Sequence, residues 1–268
     1  MADVLSAAVL GVVEGVTEFL PVSSTGHLIV AADLLRVRDA NGVFEIAIQF
    51  GAVLAVLWHY RRDLLGQARS LSSDRGARRL WLGVAVAFLP AALLGLALSD
   101  WITAHLFNPT SVAAALIVGG VALLLIERRA PAPRTRALEN VTLRQALGIG
   151  AAQCLALVPG MSRSASSIIG GLLSGLDRPT ATAFSFYLSI PTLGAATGYA
   201  LLKSGRDLAG ADLAGLAVGT LVAFLTALLA IGWLLRYIAR HDFRGFAVYR
   251  IVAGLLILAY FGWRGSGA

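Results

Sequence analysis

The sequence contains long apolar runs that are almost free of charged residues, and these runs limit the possible folds more than any other feature. A helix that crosses the roughly 30 Å hydrocarbon core of a bilayer needs about 20 such residues. The runs are continuous rather than alternating, which favours membrane helices over a β-barrel. We therefore predict an all-α integral membrane protein with about six transmembrane helices. The predicted spans are residues 43–60, 80–98, 111–126, 181–202, 213–235 and 249–263.

The charged residues are few and unevenly distributed. They make up 14% of the chain, against about 25% in a soluble domain. The net charge of +7 comes mostly from arginines in short loops between the apolar runs, which is typical of membrane orientation rather than of a nucleic-acid groove. We expect no nucleic-acid partner. Loops 61–79, 128–144 and 236–250 are basic, whereas loops 99–110 and 203–212 are not, so both termini are predicted to lie outside the cytoplasm.

Two further apolar stretches, residues 4–35 and 147–176, are interrupted by Pro, Gly and Ser. The interruptions begin at Pro21 and Pro159. Such residues free backbone groups that lipid cannot satisfy, so this part of the chain must contact protein or a wet cavity. We predict two re-entrant helix pairs here rather than two straight spans.

The chain also resembles itself at a spacing near 136 residues. This similarity predicts one membrane domain, residues 1–268, made of two repeats at about 1–130 and 135–268. Each repeat holds one re-entrant pair and three spans, and three is odd, so the repeats must insert with opposite orientations. Inverted-topology repeats of this kind place a polar site near the membrane midplane, where the broken helices meet.

Glu14 and Glu18 lie one helical turn apart on the same helix face. Two carboxylates this close in apolar surroundings require that one take up a proton or that a divalent cation bind both. Alternatively, the pair faces water at the membrane interface. Acidic residues inside a membrane are costly and usually functional, so we predict a catalytic or metal-binding pair.

Ser23, Ser24, Thr25 and His27 follow the first interruption directly. Ser23 or Ser24 is suited to cap the helix that continues from there. Capping explains one hydroxyl, but not three hydroxyls and an imidazole together. A hydroxyl beside an imidazole is typical of an activated nucleophile, or of a histidine that acts as nucleophile or acid and base.

The second interruption contains Gly160, Ser162, Arg163, Ser164 and Ser167. The glycine permits close backbone approach, and hydroxyls with the free N–H groups of a starting helix form an anion-binding nest. A guanidinium in an apolar segment needs an anionic partner, and its fork matches two phosphate oxygens. The alternative is a structural ion pair between the arginine and one of the two glutamates, which would not exclude phosphate binding.

These two segments read EGVTEFLPVSSTGH at residues 14–27 and PGMSRS at residues 159–164. Together they resemble the two signature motifs of the undecaprenyl-diphosphate phosphatases, the bacitracin-resistance family of integral membrane phosphatases. Ala165 and Ser167 depart from the usual residues at their positions. The resemblance covers the whole chain and implies a bacterial inner-membrane enzyme that converts undecaprenyl diphosphate to the monophosphate and recycles the lipid carrier of cell-wall synthesis. It also implies a divalent cation, Mg²⁺ or Ca²⁺, and an active site that faces the periplasm.

The expected mechanism combines both segments. The arginine and the hydroxyls hold the phosphates, the acidic pair holds the cation or supplies a base, and Ser24, His27 or water attacks. The main alternative is a transporter or flippase for an anionic lipid or solute, because broken helices in inverted repeats also build transporters. Small residues such as Gly119 and Gly120 could serve a homodimer or internal packing.

Overall fold

The computed structural model describes residues 3–37, 42–129, 131–204 and 212–265, and these residues are almost entirely helical. They form eleven α-helices and two short 3₁₀ helices at Leu138–Asn140 and Cys154–Leu157. The α-helices are α1 (Val4–Thr17), α2 (Ser24–Leu34), α3 (Val43–His59), α4 (Arg61–Ser70), α5 (Arg75–Leu106), α6 (Pro109–Arg129), α7 (Leu143–Gln153), α8 (Arg163–Leu173), α9 (Arg178–Ser204), α10 (Leu213–Ile238) and α11 (Arg244–Gly265).

The long helices match the predicted spans in place and in character. Four of them, α5, α6, α10 and α11, are long and apolar enough to cross a membrane. The bent pair α3 and α4, with an angle of 65° between them, would make a fifth span. The 27-residue α9 is not among them because its serines and threonines lower its mean hydropathy. An all-helical membrane protein is confirmed, with four to five candidate spans in the described residues.

Apolar side chains face outwards and polar side chains face inwards, the reverse of a soluble protein. Leucines on α5 and α10 that would be core residues in water are exposed, as Leu93 and Leu229 illustrate at 65% and 72%. The largest fully buried side chain among the described residues is Arg250. This distribution fits a lipid surround, which solvates apolar side chains and penalises polar ones.

The helix pairs follow a reciprocal pattern. The short helix α1 packs against α10, and the short helix α7 packs against α5, while α3 packs on α9 and α6 on α11. Close approach depends on glycine in both short helices, because a Cβ at Gly11 or at Gly150 would overlap a backbone carbonyl oxygen of the facing helix. The two short helices therefore occupy corresponding environments in the two halves of the chain.

The predicted interruptions are present between α1 and α2 and between α7 and α8. At 1.5 Å per residue α1 is about 20 Å long, too short to cross the roughly 30 Å hydrocarbon core alone. Ser23 and Ser162, which precede α2 and α8, both adopt positive φ, at 72° and 67°. Ser162 caps its helix through the N–H of Ala165, as its sequence suggests, whereas Ser23 forms no such side-chain bond.

Candidate active site

A small polar cavity of about 160 Å³ lies where the two interruptions meet. The end of α1, the start of α2, the second 3₁₀ helix and the start of α8 form most of its wall, and α3 and α9 contribute one residue each. Its position is the one expected for a site between two broken helices. Seven of the predicted site residues line it, namely Glu18, Ser23, Ser24, Thr25, Gly160, Ser162 and Arg163.

Glu18 is the polar centre of this cavity. One carboxylate oxygen, Oε1, lies 3.2 Å from Nη2 of Arg163, and the other, Oε2, accepts a hydrogen bond of 2.7 Å from the Ser24 hydroxyl. Both members of the ion pair are buried, with 9% and 6% of their side chains exposed. The carboxylate thus joins a cation from one half of the chain to a hydroxyl from the other.

Arg163 is fixed on its other side by α9. Its Nη1 donates to the backbone carbonyl of Ser185 at 3.0 Å, and its guanidinium lies 5.6 Å above the ring of Phe19. Nε of Arg163 is buried and has no partner among the described residues. The guanidinium is therefore held in one orientation with donor capacity left over, which suits it to bind an anion.

Ser164 and Ser167 point away from the cavity. The Ser164 hydroxyl donates to the carbonyl of Phe19 at 2.7 Å, and the Ser167 hydroxyl donates to the hydroxyl of Ser185 at the same distance. These bonds tie α8 to the end of α1 and to α9. Direct contact of either hydroxyl with phosphate stays a prediction, since neither residue lines the cavity.

Glu14 lies one turn before Glu18 and is 1% exposed. Its Oε1 is buried and has no hydrogen-bond partner among the described residues. An unpaired carboxylate oxygen beside a second carboxylate is the chemistry expected of a cation site, because hard divalent cations bind oxygen ligands. No group of three or more Asp, Glu, His or Cys in the described chain could hold an ion by itself, so phosphate oxygens would have to complete the coordination.

His27 does not line the cavity. Its Nδ1 lies 2.7 Å from the carbonyl oxygen of Ser23, and its Nε2 lies 2.6 Å from the hydroxyl of Tyr249. A carbonyl only accepts hydrogen bonds, so Nδ1 must carry the proton, and neutral His27 then accepts from Tyr249. Both ring nitrogens are occupied by protein partners in this arrangement.

Arg250 is a site residue that the sequence analysis did not single out. It is 0% exposed and donates to the carbonyls of Pro21, Gly160 and Met161 at 3.0–3.2 Å. These carbonyls belong to the two interruptions, so one guanidinium connects both loops that line the cavity. An arginine within an otherwise apolar helix was the signal that could have identified it.

The chain closely matches proteins of known family over nearly its full length. The family described as bacitracin resistance protein BacA matches residues 7–256. The undecaprenyl-diphosphatase of Deinococcus radiodurans is 54% identical over 260 residues, which cover 96% of this chain and 94% of the relative. That of Methylobacillus flagellatus is 52% identical, over 96% and 97%. That of Dechloromonas aromatica is 53% identical, over 97% and 96%.

Proposed function

The chain belongs to the bacitracin resistance protein BacA family, and from this premise we propose that it hydrolyses undecaprenyl diphosphate to undecaprenyl phosphate and inorganic phosphate. It is an enzyme that recycles the lipid carrier of cell-wall synthesis and confers resistance to bacitracin. The names of its relatives favour this activity over transport of an anionic lipid. The observation that carries the proposal is the buried contact of Glu18 with Arg163 and Ser24 at one polar cavity.

The proposed architecture is an inverted repeat with six spans and two re-entrant pairs. The first helices of the two pairs begin at Val4 and Leu143, and their second helices begin at Ser24 and Arg163, so both are 139 residues apart. The second helices α2 and α8 also have equal lengths of 11 residues. These regularities support the repeat, and the basic loops support a cavity that opens towards the periplasm with both termini on that side.

In the proposed reaction, Arg163 binds the terminal phosphate and stabilises the charge that develops on its oxygens. Ser162 and the backbone of Gly160 lie next to the guanidinium in the same wall of the cavity. The prenyl chain stays in an apolar environment. Substrate phosphate would compete with Glu18 for the guanidinium, so binding would free this carboxylate to act as a base.

Glu14 and Glu18 would hold the divalent cation, Mg²⁺ or Ca²⁺. Mg²⁺ usually binds to one or two carboxylates and to substrate phosphates rather than to a closed protein cage, which fits a pair of glutamates. When bound, the ion supplies positive charge to the phosphate oxygens. The orphaned oxygen of Glu14 is the feature of this chain that supports the assignment.

Ser24 is the better supported nucleophile. Its hydroxyl lines the cavity and donates to Glu18, whereas His27 is bonded through both nitrogens and lies off the cavity wall. Ser24 Oγ would attack the terminal phosphorus as its proton passes to the Glu18 carboxylate, and undecaprenyl phosphate would leave. Water would then cleave the phosphoserine, releasing inorganic phosphate and restoring the hydroxyl.

The proposal is tested by phosphate release from undecaprenyl diphosphate with purified protein in detergent, with and without EDTA. Arg163→Ala should lower kcat by a factor of about 100 to 1,000, as expected when a donor to a developing oxyanion is removed. Arg62→Ala serves as the control because Arg62 is exposed on α4 and remote from the cavity lining. Turnover of Arg163→Ala within a few-fold of wild type would disprove this assignment of the phosphate site.

A further inference from the structure

An apolar groove of about 360 Å³ begins beside the polar cavity. Both spaces are bounded by Ala156 and Arg163, so the groove ends where the proposed phosphate site begins. Its walls come from α5, α9 and the second 3₁₀ helix. The α5 wall runs along one helix face from Phe88 to Ser99, a distance of about 16 Å at 1.5 Å per residue.

The groove exists because the helices that form it carry small residues there. Ala92 and Gly95 on α5 face Ala195 and Ala196 on α9, and both alanines on α9 are exposed. Such a trough cannot satisfy a diphosphate, since it offers few polar groups. It is suited to an apolar chain that extends from the polar cavity towards the surrounding lipid.

Gln153, the last residue of α7, is the exception in this apolar wall. It lines the groove next to Arg163 and is 1% exposed. Neither its amide oxygen nor its amide nitrogen has a hydrogen-bond partner among the described residues. A buried amide with both ends unpaired is costly, which indicates that it is retained for a ligand rather than for the fold.

We infer that this groove holds the isoprene units next to the phosphates, and that the Gln153 amide donates a hydrogen bond to the phosphate that stays on the lipid. The inference rests on the proposed function and extends it to the lipid half of the substrate. The phosphate on the lipid lies between the terminal phosphate and the prenyl chain. Gln153 lies where the groove meets the cavity, so its position matches that junction.

The groove should affect orientation more than affinity. A prenyl chain already lies in an apolar solvent, so moving it from lipid into the groove gains little from the hydrophobic effect. Seating its first units instead fixes the direction of the carbon–oxygen bond at the phosphate and aligns the terminal phosphorus with the nucleophile. Substrates too short to fill the groove would lose this alignment.

The groove is tested by comparing kcat/KM for farnesyl diphosphate and dimethylallyl diphosphate, which carry three isoprene units and one. Gly95→Leu fills the groove, because a Cβ there already lies 3.3 Å from Cδ2 of Leu157, and Ala195→Leu fills it from the opposite wall. Both should lower kcat/KM for the farnesyl substrate about tenfold or more and leave the dimethylallyl substrate within twofold. Gly198→Leu is the matched control, because nothing lies within 4 Å of a Cβ there.

Gln153→Leu tests the amide with a side chain of similar size. The variant should lower kcat/KM about tenfold to a hundredfold for both substrates, as expected for a lost hydrogen bond to a charged group. Its melting temperature in detergent should rise or stay the same, because an unpaired buried amide is removed. A structural role for Gln153 would instead lower the melting temperature, and that outcome would overturn the assignment.

The outcomes separate the two levels of the proposal. No phosphate release from either substrate by wild-type protein would overturn the proposed function and this inference with it. Release with an unchanged farnesyl preference in both groove-filling variants would overturn the groove alone. Wild-type kcat/KM in Gln153→Leu would overturn the role of the amide alone.

Discussion

Replacing Arg250 with methionine is the change that most directly tests how the site is held together. The guanidinium donates to the carbonyls of Pro21, Gly160 and Met161, which belong to the two interruptions. It carries no chemistry in the proposed reaction and lies outside the cavity lining. Any loss of activity in this variant would therefore arise from the loops that it positions.

The magnitude follows from what methionine leaves behind. Three buried carbonyls lose a donor, at about 1–3 kcal/mol each. This loss is partly offset, because the folded protein no longer has to desolvate a buried ion, which costs several kcal/mol. The free energy of unfolding should consequently change by only a few kcal/mol. The loops lose their common tether, however, and a displacement of about 1 Å at a reacting centre costs about a hundredfold in rate.

We therefore expect Arg250→Met to lower kcat about a hundredfold while the protein still purifies as a folded species in detergent. The assay is release of inorganic phosphate from farnesyl diphosphate, with the melting temperature measured in parallel. Arg178→Met is the matched control: Arg178 pairs with Glu127 through Nε at 3.0 Å and Nη2 at 2.6 Å, and neither residue lines the cavity. It should lower the melting temperature and leave kcat within a few-fold of wild type.

A folded Arg250→Met protein with nearly wild-type kcat would refute this reasoning. It would mean that Ser23 and Ser162 keep their positive φ through local contacts, without a donor shared between the loops. Equal losses of kcat in Arg178→Met and Arg250→Met would refute it as well, because a general loss of stability would then explain both.

Two further changes probe single contacts at the site. Gly160→Ala should cost about 1–3 kcal/mol of stability and much of the activity, because Gly160 has φ +98° and a Cβ there would overlap the carbonyl oxygen of Val112; thermal unfolding and phosphate release check this, and an unchanged melting temperature would contradict it. Tyr249→Phe removes the hydrogen bond to His27 but keeps the stacked ring, so kcat should fall by no more than about tenfold; a loss as complete as that of Ser24→Ala would assign Tyr249 a direct part in the reaction.

Much of the site could be predicted because the signals are local. Polar and helix-breaking residues are conspicuous where every neighbour is apolar, so Glu18 and Arg163 were identifiable as a pair even though 145 residues separate them. The alternative that the arginine pairs structurally with a glutamate is also realised, since the two side chains are in contact. The ion pair and phosphate binding remain compatible.

The remainder depends on how helices pack, which no local pattern specifies. Ser185 reaches Arg163 only because α9 lies against α8, and in the sequence it is one of many hydroxyls in α9. Tyr249 meets His27 across 222 residues. Gln153 falls in an apolar run, where its unpaired amide becomes apparent only once its surroundings are known.

The spacing of the halves was predictable only to within one residue, and that residue matters. Aligning the prolines places Ser24 opposite Ser162, at a spacing of 138. The helix starts instead give 139, so Ser23 corresponds to Ser162. The shared positive φ at these two serines supports the second spacing. Hydrophobic matches between apolar runs are too degenerate to fix a register, whereas a strained backbone position is specific.

At the spacing of 139, the two halves supply equivalent positions with different chemistry. Ser24 and Arg163 are both the first residue of their helix, and both contact Glu18. Glu14 corresponds to Gln153, and each is a buried side chain with an unpaired polar atom. A symmetric scaffold would bring two like groups to the axis, which suits passage of a substrate from side to side. Here one half carries a hydroxyl and acids and the other a cation and an amide, and this asymmetry gives the substrate one binding direction, as hydrolysis requires.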